Sequence, residues 1–331
     1  MRFSYIFKRL FHMNYGQMLK KINSIHKKTG MGRVKIFMDM KDCAVKYGAG
    51  YMDYDLFEMY NLTDEQRDTY ITRGRNNELV KQYNDLSYSH FFDNKDEFNT
   101  RFADYIHREW LILGKDNKEQ VLEFIKKHSP FILKPIGGMC GKGIQKLKTE
   151  DFESLEACYD YIMQQEGEFE LEQVIRQHPA VSAIYPHAIN TVRAVTIFKD
   201  GKAHLVCTYF RIGNCGRPVD NFNSGGMVTP VDEKTGTVLQ PAIDKNKTLY
   251  ENHPMTGTPI KGFQFPDWDK VMEMVKKAAA EVPQMGYLGW DVAFTPDGPC
   301  LVEGNHFCGH DIYQLPEHTP DKIGIMPKFR V

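Results

Sequence analysis

Apolar positions recur at two different periods along the chain, helical in the first third and largely alternating after it. Near the start, Ile6, Phe7, Leu10 and Phe11 fall three and four apart, the spacing of one helix face. The polar stretch 53–82 is rich in helix formers, and TDEQ at 63–66 offers a capping box. No strand–glycine–helix unit of a dinucleotide fold occurs there. From residue 90, HFFDNKDEFNTRFADYI predicts a turn and then an amphipathic helix, and VLEFIKKH a short helix leading into the proline-bounded run PFILKPI. Residues 131–134 are a predicted strand, GGMCGKGIQKL a glycine-rich turn into a second strand, 155–165 a helix and FELEQVI a further strand. The alternation in TVRAVTIFKDGKAHLVCTYFRIG turns at Asp200-Gly201, a two-residue hairpin signal. Residues 268–281 place Val271, Met274, Val275 and Ala278 on one helical face, and YLGWDVAFTPDGPCLVEGN predicts two strands folded at a Pro-Asp-Gly turn. The expected class is α+β, with antiparallel sheet following a mostly helical region. Neither an internal repeat nor a low-complexity linker interrupts it.

Length and charge narrow the function classes. The 331 residues allow two or three lobes, because single cores stop growing near roughly 250–300 residues. With 42 Lys and Arg against 43 Asp and Glu, no overall basic excess is available to release phosphate counterions, so a nucleic-acid partner is not expected. No run approaches the ~18–20 apolar residues of a membrane span, and the first residues lack a signal-peptide pattern. The seven cysteines are scattered and contain no CxxC pair, which suits a reducing cytoplasm better than a disulfide framework. One local exception is the first thirty residues, where Arg2, Lys8, Arg9, Lys20, Lys21, Lys27 and Lys28 face no acidic residue. Two readings stand for residues 1–28: a peripheral contact with the inner membrane face or a partner, and a helix whose apolar stripe packs on the protein itself.

Candidate chemistry gathers in the second half. Glu303 and Asn305 project from one face of a strand, and Asp291 on the partner strand reaches that face in a suitable register. Three oxygen donors there suit a hard cation such as Mg²⁺ rather than zinc; the alternative is solvated strand positions. Lys134 closes an apolar strand just before the glycine turn Gly137, Gly138, Gly141 and Gly143. Such a turn can lay backbone N–H groups on phosphate oxygens while the lysine neutralises them, or it is a plain hairpin turn with an exposed Lys142. It is not a Walker motif, since no GKS or GKT opens a helix. His306, Cys308 and His310 form an HxCxH cluster that lacks a fourth zinc ligand.

The order KP, GGMCGKGI, LEQVI, then GWDVAF and DGPCLVEGN resembles the ATP-grasp ligases over residues 93–314. NTVRAVTI, FRIG with DNFNSGG, and EGNHFCGHDIYQ resemble the sugar-transfer-associated branch of that family most. The resemblance implies an ATP-grasp fold with a mostly helical N-terminal region at 1–88, a first subdomain at 89–175 and a second at 176–331. It implies Lys95 and Lys134 as nucleotide lysines, with Gly138, Gly141, Lys142 and Gly143 in the phosphate loop. Glu172, Gln173 and Ile175 match the hinge strand that holds adenine, and Asp291, Glu303 and Asn305 the triad that bridges ATP through two Mg²⁺ ions. Arg193, Arg211 and Asn221 match positions that serve the transferred phosphate or acyl phosphate, with Gly225-Gly226 letting backbone approach. His310, Asp311 and Gln314 fall where relatives position the acceptor. The segment 194–265 is longer than in compact relatives, and the front third lacks their usual α/β domain.

The implied reaction explains the residue types. A carboxylate attacking the γ-phosphate brings several negative charges together, which two lysines and two divalent ions offset. An amine then attacks the acyl carbon, where an arginine can stabilise the oxyanion. The expectation is an ATP- and Mg²⁺-dependent carboxylate–amine ligase acting on a small acid and an amine or amino-sugar acceptor. Direct phosphorylation of a hydroxyl and a nucleotide-binding scaffold for glycosyltransferases are the competing readings.

Overall fold

A computed structural model describes residues 14–114, 116–136 and 143–330. The chain divides into two compact units, Met1–Tyr83 together with Phe307–Val331, and Asn84–His306. Residues 307–331, expected to continue the second subdomain, thus group with the helical first unit. Among the described residues no helix is long and apolar enough to cross a membrane. The apolar stripe at Ile6–Phe11 lies outside the described residues.

The first unit is helical, as its period predicts. Helices Tyr15–Thr29 and Arg33–Tyr47 bury Ile22, Ile25, Ile36, Met40 and Cys43 with Tyr54, Phe57 and Tyr70. The capping box forms as read: Gln66 N donates to Thr63 Oγ1 (3.3 Å) and Thr63 N to Gln66 Oε1 (3.0 Å).

The second unit contains two antiparallel sheets. The smaller has β1 (Trp110–Ile112), β2 (Phe131–Pro135), β3 (Gln145–Leu147) and β4 (Phe169–Gln173) in the order β1-β4-β2-β3. Helices Lys118–Lys127 and Leu155–Met163 cover one face, where Val121, Ile125, Cys158 and Ile162 meet Phe131, Leu133 and Leu171. Side chains alternate across a strand, so burying Leu171 there sends Glu170 and Glu172 to the other face.

The larger sheet comprises β5 (Thr191–Lys199), β6 (Lys202–Ile212), β7 (Met227–Val231), β8 (Ala242–Ile243), β9 (Leu249–Tyr250), β10 (Tyr287–Thr295) and β11 (Gly298–Asn305), ordered β11-β10-β5-β6-β7-β8-β9. The β5–β6 hairpin turns at Asp200 and Gly201, both at positive φ (50° and 75°), the conformation that Asp-Gly was read to supply. Helix Trp268–Glu281 buries the predicted stripe in a core with Val192, Ala194, Phe210, Ile212, Val292 and Phe294. The residues between them in sequence, Arg193, Arg211 and Asp291, therefore share the opposite face.

The segment expected as one helix after residue 90 is broken into His90–Asp93, Lys95–Arg101 and Ala103–Ile106. Asn94 is extended and its Oδ1 accepts from Asp96 N (3.0 Å) and Glu97 N (3.3 Å), so a side-chain cap restarts the helix. Phe92 and Phe102 then pack on Trp290, whose indole donates to Thr196 Oγ1 (2.9 Å).

Candidate functional site

The larger sheet concentrates charge at its β11-β10-β5-β6 end. Asp291 is the register partner of both Arg193 on β5 and Glu303 on β11. Arg193 grips the Asp291 carboxylate through Nε and through Nη2 (2.8 Å), while Arg211 Nη1 reaches Oδ2 (2.5 Å). Arg211 Nη2 also donates to Asp220 Oδ1 (3.0 Å) and to Asn221 Oδ1, and Asp220 in turn accepts from Thr191 N (3.1 Å) and Thr191 Oγ1. Asp291 and Arg211 are buried. Burial alone would raise the Asp291 pKa, but the two guanidinium groups hold it well below the ordinary carboxylate range. Its neighbour Glu303 goes the other way. Its side chain is solvent-accessible, yet surrounding protein and the Asp291 carboxylate together raise its pKa. Asn305 Nδ2 lies 3.3 Å from Glu303 Oε1, so Glu303 and Asn305 share one face as read.

Backbone comes close to this cluster at Gly226. A Cβ there would stand 2.4 Å from Asp220 O and 2.9 Å from Ile212 O, so only glycine lets β7 start beside the Asp220 loop. Gly225, one residue earlier, has φ 96°.

The smaller sheet holds a second cluster. Lys134 Nζ donates to Glu172 Oε1 (2.9 Å) and lies 3.4 Å from Glu170 Oε1, though without hydrogen-bond geometry to Glu170. Lys95 donates to the carbonyls of Pro135 and Ile136, each at 2.7 Å, at the end of β2. Burial lowers the Lys95 pKa, and adjacent Lys134 lowers it further. Glu170 is fully buried and accepts from Asn99 Nδ2 (3.2 Å); burial and the Glu172 carboxylate push its pKa up to about 7. Glu172 is buried as well, but Arg108 and Lys134 overcome that penalty and pull it down to about 2.

Arg108 joins the two clusters. Its Nη2 lies 3.3 Å from Glu172 Oε1, and its Nη1 donates to Leu301 O (2.7 Å) and Nη2 to Val302 O (3.3 Å) of β11. The guanidinium thereby ties β4 of one sheet to the strand that carries Glu303. Glu303 also acts electrostatically on Lys95. Two clusters of paired acidic and basic side chains thus belong to one unit.

The remaining sequence candidates divide. Gly138, Gly141 and Lys142 lie outside the described residues; Gly143 is described, at φ 78°. Gln173 ends β4 and its Oε1 accepts from Glu109 N (3.2 Å), while Ile175 follows the strand, half-buried. Asn221 sits against Arg211. In the first unit, His310 Nε2 is 2.9 Å from Asp53 Oδ1, and both are buried. Gln314 is also buried, and its amide is spent on Ile71, accepting from N (3.0 Å) and donating to O. It is thus committed to the backbone rather than open to a ligand. Asp311 is half-buried. Among the described residues no group of three His, Cys, Asp or Glu side chains is placed to hold a metal ion, and His306 is instead 2.9 Å from Asp93 Oδ1.

Arg108, Asp220, Asn99 and Glu170 are charged or polar members of the site that the sequence reading passed over. Glu170 had a readable signal, since FELEQ sends two glutamates two residues apart to the face opposite Leu171. Arg108 and Asp220 had none, because loops bring them in.

The sugar-transfer associated ATP-grasp family profile matches residues 74–320. The chain belongs to that family. No curated protein matches it. Solved structures similar to this family member include the ATP-grasp ligase PsnB complexed with minimal precursor, Mg and ADP (16% identity, TM-score 0.41, covering 69% of this chain and 54% of that one). Others are the ADP complex of purK, N5-carboxyaminoimidazole ribonucleotide synthetase (15%, TM-score 0.42, 66% and 46%), and D-alanine–D-alanine ligase from Helicobacter pylori (14%, TM-score 0.44, 77% and 67%). The chain spans about half the length of the first two.

Proposed function

We propose that the protein is an ATP- and Mg²⁺-dependent carboxylate–amine ligase that works through an acyl phosphate, in the cytoplasm, on an amino acid or related small acid. Its acceptor is an amino-sugar or another amine-bearing precursor of cell-surface polysaccharide, a reading supported by the family's association with sugar transfer. The observation that carries the proposal is the Arg193–Asp291–Arg211 cluster beside Glu303 and Asn305. It combines guanidinium donors for an oxyanion with oxygen donors for a hard cation.

The donor set fits Mg²⁺: carboxylates of Asp291 and Glu303 and the amide oxygen of Asn305 are hard ligands, and the arginines keep Asp291 ionised. When bound, the ions supply positive charge to the phosphate oxygens. Lys95 and Lys134 neutralise nucleotide phosphates from the smaller sheet, while Glu172, Gln173 and Ile175 line the nucleotide end. Arg193 and Arg211, steadied by Asp291, Asp220 and Asn221, orient the acid. Its carboxylate oxygen bonds to the γ-phosphorus as the bond to ADP breaks. The amine nitrogen then bonds to the acyl carbon, phosphate leaves, and the nitrogen loses a proton.

The test is incubation with ATP, Mg²⁺, pooled amino acids and small acids, and hydroxylamine, read by mass spectrometry. Hydroxamate with ADP, lost in Lys134→Ala and Glu303→Gln, is the expected result. A phosphorylated pool member with ADP and no hydroxamate would overturn the acyl step in favour of direct phosphorylation.

A further inference from the structure

We propose that Glu170 is a positioning residue for Lys134, and that nucleotide binding is coupled to a net, fractional proton uptake by the Glu170–Glu172 carboxyl pair. The inference rests on the nucleotide reading of this site.

Strand register creates the arrangement. Glu170 is the direct cross-strand partner of Lys134, and Glu172 is two residues along the same face. One ammonium therefore serves two carboxyl groups, at 2.9 Å from Glu172 Oε1 and 3.4 Å from Glu170 Oε1. The two acids are unequally supported. Glu172 also has Arg108, whereas Glu170 has the neutral amide of Asn99 on Oε2, and its buried Oε1 has no hydrogen-bond partner among the described residues. The charged groups acting on Glu170 are Lys134 from β2, Glu172 from its own strand and Lys95 from helix Lys95–Arg101. Arg108 is directed at Glu172.

A phosphate that attracts Lys134 changes this balance. The cation closest to the pair turns away and negative charge arrives, leaving two buried carboxylates that burial and mutual repulsion oppose. Taking one proton from solvent converts Glu170 to its neutral acid, whose O–H can donate to Glu172. Lys134 is then released to the nucleotide without leaving an uncompensated charge pair. Burial and the neighbouring carboxylate already hold Glu170 at about 7, so the uptake falls in the neutral range.

The sign follows from linkage. If binding takes up a few tenths of a proton near neutrality, ADP affinity weakens about two- to threefold per pH unit as pH rises through that range. The measurement is calorimetric titration of the full chain with ADP and Mg²⁺ in buffers of low and high ionisation enthalpy, at pH 6 to 8. Wild type should show an observed enthalpy that varies with buffer, corresponding to proton uptake, and a pH-dependent Kd. Glu170→Gln, which mimics the neutral acid, should bind ADP with neither dependence. Glu170→Leu, which removes the titrating group without an amide in its place, should lose the coupling also and keeps the test open if the glutamine variant folds poorly. ADP binding by wild type with a buffer-independent enthalpy would overturn the coupling alone, as would an undiminished slope in Glu170→Gln. Failure to retain ADP in equilibrium dialysis would overturn the nucleotide reading and the proposal with it.

Discussion

Replacing Asp291 by Asn keeps the shape of the side chain and removes the charge that neutralises two buried guanidinium groups. The side chains of Arg193, Arg211 and Asp291 retain only 11%, 9% and 4% of their accessible surface. Removing one member of a buried ion pair costs about 3–5 kcal/mol, because the partner charge stays behind. Arg211 keeps Asp220 and Asn221, so the lower figure, about 3 kcal/mol, applies. The amide adds a donor facing donors and offers one acceptor where the carboxylate had two. For a unit of this size about 3 kcal/mol corresponds to a Tm fall of roughly 6–12 °C. Calorimetry at pH 7 reads it. The pH dependence supplies a second check with a definite sign. Because the arginines depress the Asp291 pKa, its stabilisation is present above the unfolded value of about 3.9 and is lost as pH falls below it. The difference between wild type and Asp291→Asn should therefore shrink on acidification. A variant melting within about 2 °C of wild type at pH 7, less than 1 kcal/mol, would refute the argument that this carboxylate neutralises the arginine pair.

Arg108→Met removes the one guanidinium that bridges Glu172 to β11, and should cost about 3–5 kcal/mol in urea unfolding, since Glu172 and the Leu301 and Val302 carbonyls lose it together. Gly226→Ala forces a Cβ against the Asp220 and Ile212 carbonyls and should lower stability by about 1–3 kcal/mol, together with hydroxamate formation, because the Asp220 support of Arg211 shifts. Thr196→Val strands the Trp290 indole N–H in the core and should cost about 1–3 kcal/mol by the same unfolding assay. Glu170 has a raised folded pKa, so its ionisation opposes folding above its unfolded value of about 4.3 and up to about 7. Glu170→Gln should accordingly gain stability relative to wild type between pH 5 and pH 8, whereas equal or reversed pH slopes would refute that sign.

Local patterning determined most of what repeats along a strand or helix. The alternation around Arg193, Arg211 and Asp291 fixed that these residues face away from the core, because their neighbours on either side are apolar, whereas Glu303 joins them only through a β-bulge: Leu301, two residues earlier, faces the core. Asp200-Gly201 and Asp297-Gly298 set the two hairpins that pair those strands. The capping box at Thr63 and the stripe of helix Trp268–Glu281 were equally local. Tertiary structure decided what depends on distant segments. Asn94 restarting a helix, the grouping of residues 307–331 with the first unit and the commitment of Gln314 to Ile71 carry no local period. Nor does the electrostatics of the site. The sequence order placed Asp291 among metal ligands, but only the pairing of β5 with β10 and of β6 with β5 puts Arg193 and Arg211 on its carboxylate, and only the loop before β1 brings Arg108 between the sheets. Charge interactions fall off with distance in space rather than along the chain, so two glutamates two residues apart take opposite pKa shifts according to which arginine folds onto one of them.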